Sequence, residues 1–413
     1  MSKLFGNAIV GQSGGPTAAI NATLSGVIRG ALASESIEKI YGAKNGIEGM
    51  LRGDAVDLTG FFSDNTEEKL MLLEKTPAAA LGSCRKKLPD PLDPSSSGTY
   101  EKLIDFFRLL NIRYFFYIGG NDSMDTVAKL SAYTSSHDYD MRIMGVPKTI
   151  DNDVMGTDHT PGFGSAAKYI AVTMQEILRD CAVYTVPAVT IVEIMGRDAG
   201  WLTASAALTR KCGIEPDLVY LPERTFDLDR FFEDVGKALK KHPNVVVAAS
   251  EGIRFADGTY VGESSQSGAV DIFGHKYLSG TGKALEIAVK GKFGCKVRSI
   301  ELNLMQRCSS HIASLTDIKE SVMVGKAAVS AAADGVSGRM MNILRNDGDT
   351  YSAYASHEDI NKIANLVKTV PDDFINTEGN GITDACVNYL LPLIEGESIP
   401  VFEHGLAKHL VIE

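Results

Sequence analysis

Short apolar runs that end in Gly, Asn or Asp alternate along this chain with longer segments of helical spacing. "NAIVG" precedes "TAAINATLSGVIRGAL", "RYFFYIGG" precedes "SMDTVAKLSAY", and "MRIMGVP" runs into a polar loop. "AVTIVEIMG", "DLVYLPE" and "NVVVAASEG" repeat the device further on. Strand followed by helix, over and over, predicts an α/β fold with mainly parallel sheets and helices on both faces. The helical stretch "SAAKYIAVTMQEILRDCA" separates the first strand series from the next, so a second sheet is expected from "AVTIVEIMG" onward. "PDPLDPSSSG" reads as a turn-rich loop, and the polar "LRNDGDTYSAYASHEDINK" as the approach to a C-terminal extension.

Composition narrows the function. The 413 residues, 44% hydrophobic and 23% charged, are ordinary for a globular protein with a substantial core, and the length favours two domains over one. A formal net charge of −11 argues against a protein that tracks nucleic-acid phosphates, since that task needs a dominant basic face. Any anion bound here must be held by local features. No apolar run approaches the roughly 20 residues of a membrane span, and "MSKLFGNAIVGQSGG" has no signal-type apolar region, so a cytoplasmic protein is expected. The six cysteines are scattered without metal-ligand spacing and read as thiols in a reducing compartment.

In such sheets ligands bind beyond the carboxyl ends of the strands, where this chain concentrates Gly and charge. "GQSGGPTAAIN", 11–21, joins a strand to a helix and lets backbone N–H groups approach an anion, although a structural turn explains it equally well. "SGTGK", ending at Lys283, lacks the rest of a phosphate-loop motif. "IGGNDSMDTV", 118–127, places Asn121 and Asp122 at a helix start, either as a cap or as oxygen ligands for Mg²⁺ bridging to a phosphate. "VPKTIDND", 146–153, sets Asp151 and Asp153 two apart, on one face if the segment is extended, with Lys148 and Thr149 just upstream. One carboxylate can take a hydroxyl proton while the other serves a metal-bound water; an Asx-turn of solvated charges is the alternative. "EIMGRDAGW" brings Arg197 to a strand end, "AASEG" brings Glu251, and "KVRSIELNLMQRC" supplies Arg298 and Arg307 for a terminal phosphate.

Taken in order, "GGPTAAIN", "LGSCRKK", "IGGNDS", "PKTIDND", "VEIMGRDAGW", "LPE", "SEG" and "QRC" resemble the phosphofructokinase family, up to about Gly338. The resemblance implies two similar Rossmann-like domains with the site in the cleft between them: 1–163 plus 306–350 for the phosphoryl donor, and 164–305 plus part of 351–413 for the sugar phosphate. It implies transfer of a phosphoryl group to the 1-hydroxyl of fructose 6-phosphate, with Mg²⁺ as the metal. By position, Asp151 resembles the general base, and Thr149 and Ile150 lie with it on the substrate. Met195, Gly196 and Arg197 resemble the sugar-phosphate loop, with Arg197 also stabilising the transferring group. Glu251 matches the hydroxyl acceptor, and Arg298 and Arg307 the 6-phosphate grip. Gly15, Arg85, Gly120, Asp122 and Lys148 fall on the donor side, and Asp122 is the expected metal ligand, with Asn121 and Asp153 as further candidates.

ATP-dependent members carry Gly where this chain has Asp122 and Lys148, and pyrophosphate-dependent members carry Asp and Lys, so the resemblance implies pyrophosphate as donor. An ATP-dependent enzyme and a non-catalytic regulatory subunit are the competing readings. Three positions depart from the family: Asn121 replaces a metal-binding Asp, Leu304 a substrate-binding His, and Ala188 an Arg that reaches a neighbour's 6-phosphate, leaving that contact to Lys276 or Lys283. A homodimer or homotetramer is the implied assembly.

Overall fold

The computed structural model describes residues 4–137, 139–263, 280–363 and 366–413. In chain order its main strands are β1 (Gly6–Gln12), β2 (Ile37–Ala43), β3 (Ala55–Asp57), β4 (Ile112–Gly119), β5 (Arg142–Pro147), β6 (Ala188–Ile194), β7 (Leu218–Tyr220), β8 (Asn244–Ser250), β9 (Lys296–Glu301), β10 (Arg339–Arg345) and β11 (Ala353–Asp359). Seven form one sheet in the order β11-β10-β5-β4-β1-β2-β3, and four form a second in the order β7-β8-β6-β9. The second sheet is parallel throughout; in the first, only β3 and β11 pair antiparallel to their neighbours. The predicted α/β class and the second sheet beginning at "AVTIVEIMG" are both present.

β4 shows why the apolar runs become central strands. Tyr114, Phe116 and Ile118 enter the core on one face while Phe115 and Tyr117 enter the core on the other, all fully buried. A strand that alternates between two dry faces must be apolar at every position.

The polar stretch read as the approach to an extension is instead the β10–β11 hairpin, paired from Arg339↔Asp359 to Arg345↔Ala353. A boundary at 350 therefore falls inside a hairpin of the first sheet. Its signal was weak because β11 is a half-exposed edge strand, "AYASHED", which needs few apolar residues. β2, "IEKIYGA", escaped notice for a similar reason: Glu38 and Lys39 are exposed on it. Beyond the hairpin, Val370, Ile375, Ile382 and the Asp384–Leu390 helix complete the core of the second sheet, and Ile412 returns to the core of the first.

The Ile20–Ala33 and Leu315–Ala333 helices cross on the first sheet at two facing glycines. A Cβ on Gly26 would lie 2.3 Å from the Val322 carbonyl oxygen, and one on Gly325 would lie 2.3 Å from that of Thr23. The obstacles are backbone, so the helices would have to separate.

A buried charged group ties this layer to the loop after β5. His159 lies between the Asp158 carboxylate at 2.8 Å and Glu320 at 2.6 Å; Tyr351 donates to Glu320 and Arg345 to Asp158. Burial opposes charging of the imidazole, yet the two carboxylates outweigh it and raise its pKa above the ordinary value, while Asp158 is lowered.

Two outcomes follow for stability. Gly26→Ala should destabilise the protein by about 1–3 kcal/mol, seen as a lower unfolding midpoint. Because His159 has a raised folded pKa, its contribution is full below its ordinary value of 6.5 and fades as pH rises through the raised one. His159→Gln should therefore flatten the decline of the unfolding midpoint above pH 6.5; an unchanged pH profile would remove His159 from this role.

Candidate active site

The carboxyl ends of β1, β4, β5, β6 and β8 face one cleft of about 390 Å³ between the two sheets. That is ample for a sugar phosphate beside a small second anion. A larger hollow of about 640 Å³ lies around Arg29, Thr66 and Lys326 and holds none of the candidate residues. Gly15, Arg85, Gly120, Asn121, Asp122, Lys148, Thr149, Ile150, Asp151, Asp153, Met195, Arg197, Glu251 and Arg307 all border the cleft, so residues up to 292 positions apart in sequence meet there.

On the β1 side the loop is kept open by glycines. Gly14 has a left-handed φ of 79°, and a Cβ there would stand 3.2 Å from Lys148 Nζ; a Cβ on Gly15 would stand 3.3 Å from Arg307. Both cations thus pack against bare backbone. Lys148 is only 3% exposed, its Nζ donates to the Gly15 carbonyl at 2.6 Å, and its N–H to Gly119 at 2.9 Å. Burial lowers its pKa to about 8; Asp151 and Asp153 act the other way, and Arg307 and Arg85 lower it further.

After β4, the Asn121–Ser136 helix begins on Gly120 with no side-chain cap. Neither Asn121 nor Asp122 is the N-cap, and the positive end of the helix opens at the cleft, an arrangement that favours anions. The Asp122 carboxylate pairs with Lys87 at 2.9 Å.

The 148–153 segment is a turn, because Asn152 takes a left-handed φ of 54°. The expected extended conformation, with Asp151 and Asp153 alternating onto one face, is therefore absent, and both reach the cleft through the turn instead. Asn tolerates this conformation better than other L residues. Its side-chain oxygen accepts from the Thr160 N–H at 3.1 Å. Thr149 Oγ1 donates to Asp151 at 3.1 Å and accepts from the Asp151 N–H at 3.2 Å. Burial raises the pKa of Asp151, and raises Asp153 to about 7 with the neighbouring Asp151 charge adding to it.

The second sheet supplies the opposite wall. Glu251 accepts from the Gly196 N–H at 3.3 Å, and burial raises its pKa to about 8. Gly196 needs its φ of 141°, since a Cβ would meet the Ala199 carbonyl oxygen at 2.6 Å. Gln306 holds the loop by accepting from the Met195 N–H at 3.2 Å, and Asp198 pairs with Arg254.

Arg298 is not brought to this cleft. It sits mid-strand on β9, exposed, in register with Thr190, four residues before Ile194 and so about 13 Å short of the strand end. It lines a hollow with Tyr184 and Lys296 toward the amino ends of β6, β8 and β9. The expectation that it joins the strand-end residues at a terminal phosphate is not met within this chain. Lys283 is exposed and pairs with Glu286 at 2.8 Å, outside the cleft; Lys276 lies outside the described residues.

Hard oxygen donors suited to Mg²⁺ are available. Asn121 Oδ1 is buried without a hydrogen-bond partner, and its Nδ2 is 3.5 Å from Asp153 Oδ2, a buried carboxylate whose ionised form a cation here would favour. Among the described residues no group of three His, Cys, Asp or Glu side chains could hold a metal, so any ion here would draw most of its ligands from phosphate oxygens and water. Sequence reasoning missed the roles of Gln306 and the left-handed Asn152, and missed Val367, which lies in the stretch after β11 and borders the cleft. Only Asn152 carried a signal, as Asn within a polar turn.

Residues 7–332 match the phosphofructokinase family. The chain is 41% identical over 408 residues to the pyrophosphate–fructose 6-phosphate 1-phosphotransferase of Halomonas elongata, covering 97% of this chain and 95% of that protein. It is 40% identical over 410 residues to the protein of the same name from Methylococcus capsulatus, covering 98% and 96%. The crystal structure of a pyrophosphate-dependent phosphofructokinase from Nitrosospira multiformis is similar at a TM-score of 0.87 and 37% identity, covering 98% of this chain and 96% of that one. With the family motifs gathered at one set of strand ends and the match running through both sheets, the chain belongs to the phosphofructokinase family.

Proposed function

We propose that this protein transfers a phosphoryl group from pyrophosphate to the 1-hydroxyl of fructose 6-phosphate, giving fructose 1,6-bisphosphate and phosphate, and that it runs in both directions. The observation that carries the donor assignment is Lys148, buried with its ammonium on the Gly15 carbonyl at 2.6 Å. A side chain fixed there occupies the room and charge environment an α-phosphate of ATP would need, while its positive charge suits a compact diphosphate.

In this reading the sugar lies against Thr149, Ile150, Met195, Gly196 and Glu251, with Arg307 on its 6-phosphate. Asp151 takes the proton from the 1-hydroxyl as that oxygen bonds to phosphorus and the anhydride bond breaks. Its raised pKa makes it a stronger base than a solvated aspartate. Arg197 and Lys148 offset charge on the transferring group, Gly15, Arg85 and Gly120 hold the departing phosphate, and Asp122 would act on it only through a bound cation. Asp122, Asn121 and Asp153 are the residues that would hold Mg²⁺, which when bound neutralises diphosphate charge. Arg298, exposed on β9, the edge strand of the second sheet among the described residues, serves the 6-phosphate only by reaching a second copy, in keeping with a homodimer or homotetramer. We place the protein in the cytoplasm; among the described residues no helix is long and apolar enough to cross a membrane.

Purified protein with fructose 6-phosphate and Mg²⁺ should turn over with pyrophosphate and not with ATP; activity with ATP alone would sink the donor assignment. Asp151→Ala should lower kcat by roughly 10² to 10⁴ with little change in KM. Lys148→Gly should lower kcat/KM for pyrophosphate by roughly 10² to 10³, the loss typical of one charge-stabilising group; wild-type rates in that variant would dissociate Lys148 from the donor.

A further inference from the structure

Residues 366–370 lie between the two walls of the cleft and bond to both. Toward the β5 loop, Val367 bridges to Val154, and the Lys368 N–H donates to the Asp153 carbonyl at 2.8 Å. Toward the loop after β6, the Lys368 carbonyl accepts from Trp201 Nε1 at 2.9 Å, and the Val370 N–H donates at 2.9 Å to Glu223 Oε1, which also accepts from the Gly200 N–H at 2.8 Å. One short stretch thus fastens the 151–154 turn to the 196–201 loop.

The Lys368 side chain goes further. Its stem is partly exposed, but its ammonium is enclosed within the loop after β5, donating to Asn152 Oδ1 at 3.2 Å, to the Thr157 carbonyl at 3.2 Å and to the Asp158 carbonyl at 2.7 Å, with the Trp201 ring 5.2 Å away. Three N–H donors meet three acceptors, which saturates an ammonium. The acceptor Asn152 is the left-handed residue that separates Asp151 from Asp153. Without the ammonium, two carbonyls would lose this donor and Asn152 would lose one of the two bonds fixing its side chain.

We propose that Lys368 is a positioning residue for phosphoryl transfer: its ammonium fixes the turn at Asn152, and the strap around it sets the spacing of Asp151 and Arg197 across the cleft. Lys368 touches no reacting group. It acts because a displacement of about 1 Å in a catalytic group can cost about 10²-fold in rate. The inference rests on the phosphoryl transfer proposed above.

The test compares wild type with Lys368→Met, reading kcat, KM for fructose 6-phosphate and pyrophosphate, and the thermal unfolding midpoint. The expected result is a kcat lower by roughly 10- to 100-fold with both KM values within about threefold of wild type. A folded variant with unchanged kcat, whether its midpoint falls or its KM rises, overturns the proposal, since the residue would then be structural or a binding contact. Should Lys368→Met fail to fold, Trp201→Phe decides: it keeps an aromatic ring and removes the hydrogen bond to the Lys368 carbonyl. A reduced kcat at steady KM supports the strap, and an unchanged kcat overturns it. Wild-type protein inactive with either donor would remove the underlying function instead, so the two failures are distinguishable.

Discussion

Negative charge held away from water is the constraint to which the cleft answers. Asp151, Asp153 and Glu251 all have carboxyl groups whose ionised forms burial disfavours, and the Asp151 charge raises the other two further. A fold would ordinarily shed such groups to solvent. Here they are retained by cations on every side: Lys148 from within the turn, Arg197 from the facing loop, and Lys368 from behind. The opening glycines and the uncapped helix at Gly120 belong to the same arrangement, because they turn backbone N–H groups toward incoming anions.

The sheets were legible because their central strands are dry on both faces. "RYFFYIGG" and "NVVVAASEG" keep their polar residues to the two ends, so the apolar runs between them announce themselves. Strands at a sheet edge, or next to one, carry no such obligation. β2 keeps Glu38 and Lys39 in water, and β11 alternates half-exposed residues, so both read as loop until their partners are known. The error at 350 has that origin.

Site residues divide along the same line. Those contributed by strand ends, such as Gly15, Lys148, Asp151, Arg197 and Glu251, lie in motifs whose order along the chain reflects a repeated strand-to-loop device, and the fold gathers them. Arg298 misled because membership of a strand says nothing about height within it, and four residues are enough to leave the cleft. Lys368 had no local signature: it stands 216 positions from the Asn152 it holds, in a tail without periodicity. Only the packed chain reveals that its ammonium has three acceptors waiting.

The route of the chain through its two cores also bears on how the molecule is made. Sheet one takes β10 and β11 at 339–359 and a late contribution from Ile412, while the core of sheet two holds residues from Ile150 to Leu393. A ribosome releases residues in order, so neither core can be filled while only the first three hundred have emerged. The halves of this enzyme cannot mature one after the other in the manner of beads on a string. Each waits for the same C-terminal stretch, and the cleft between them closes as a late, joint event of synthesis.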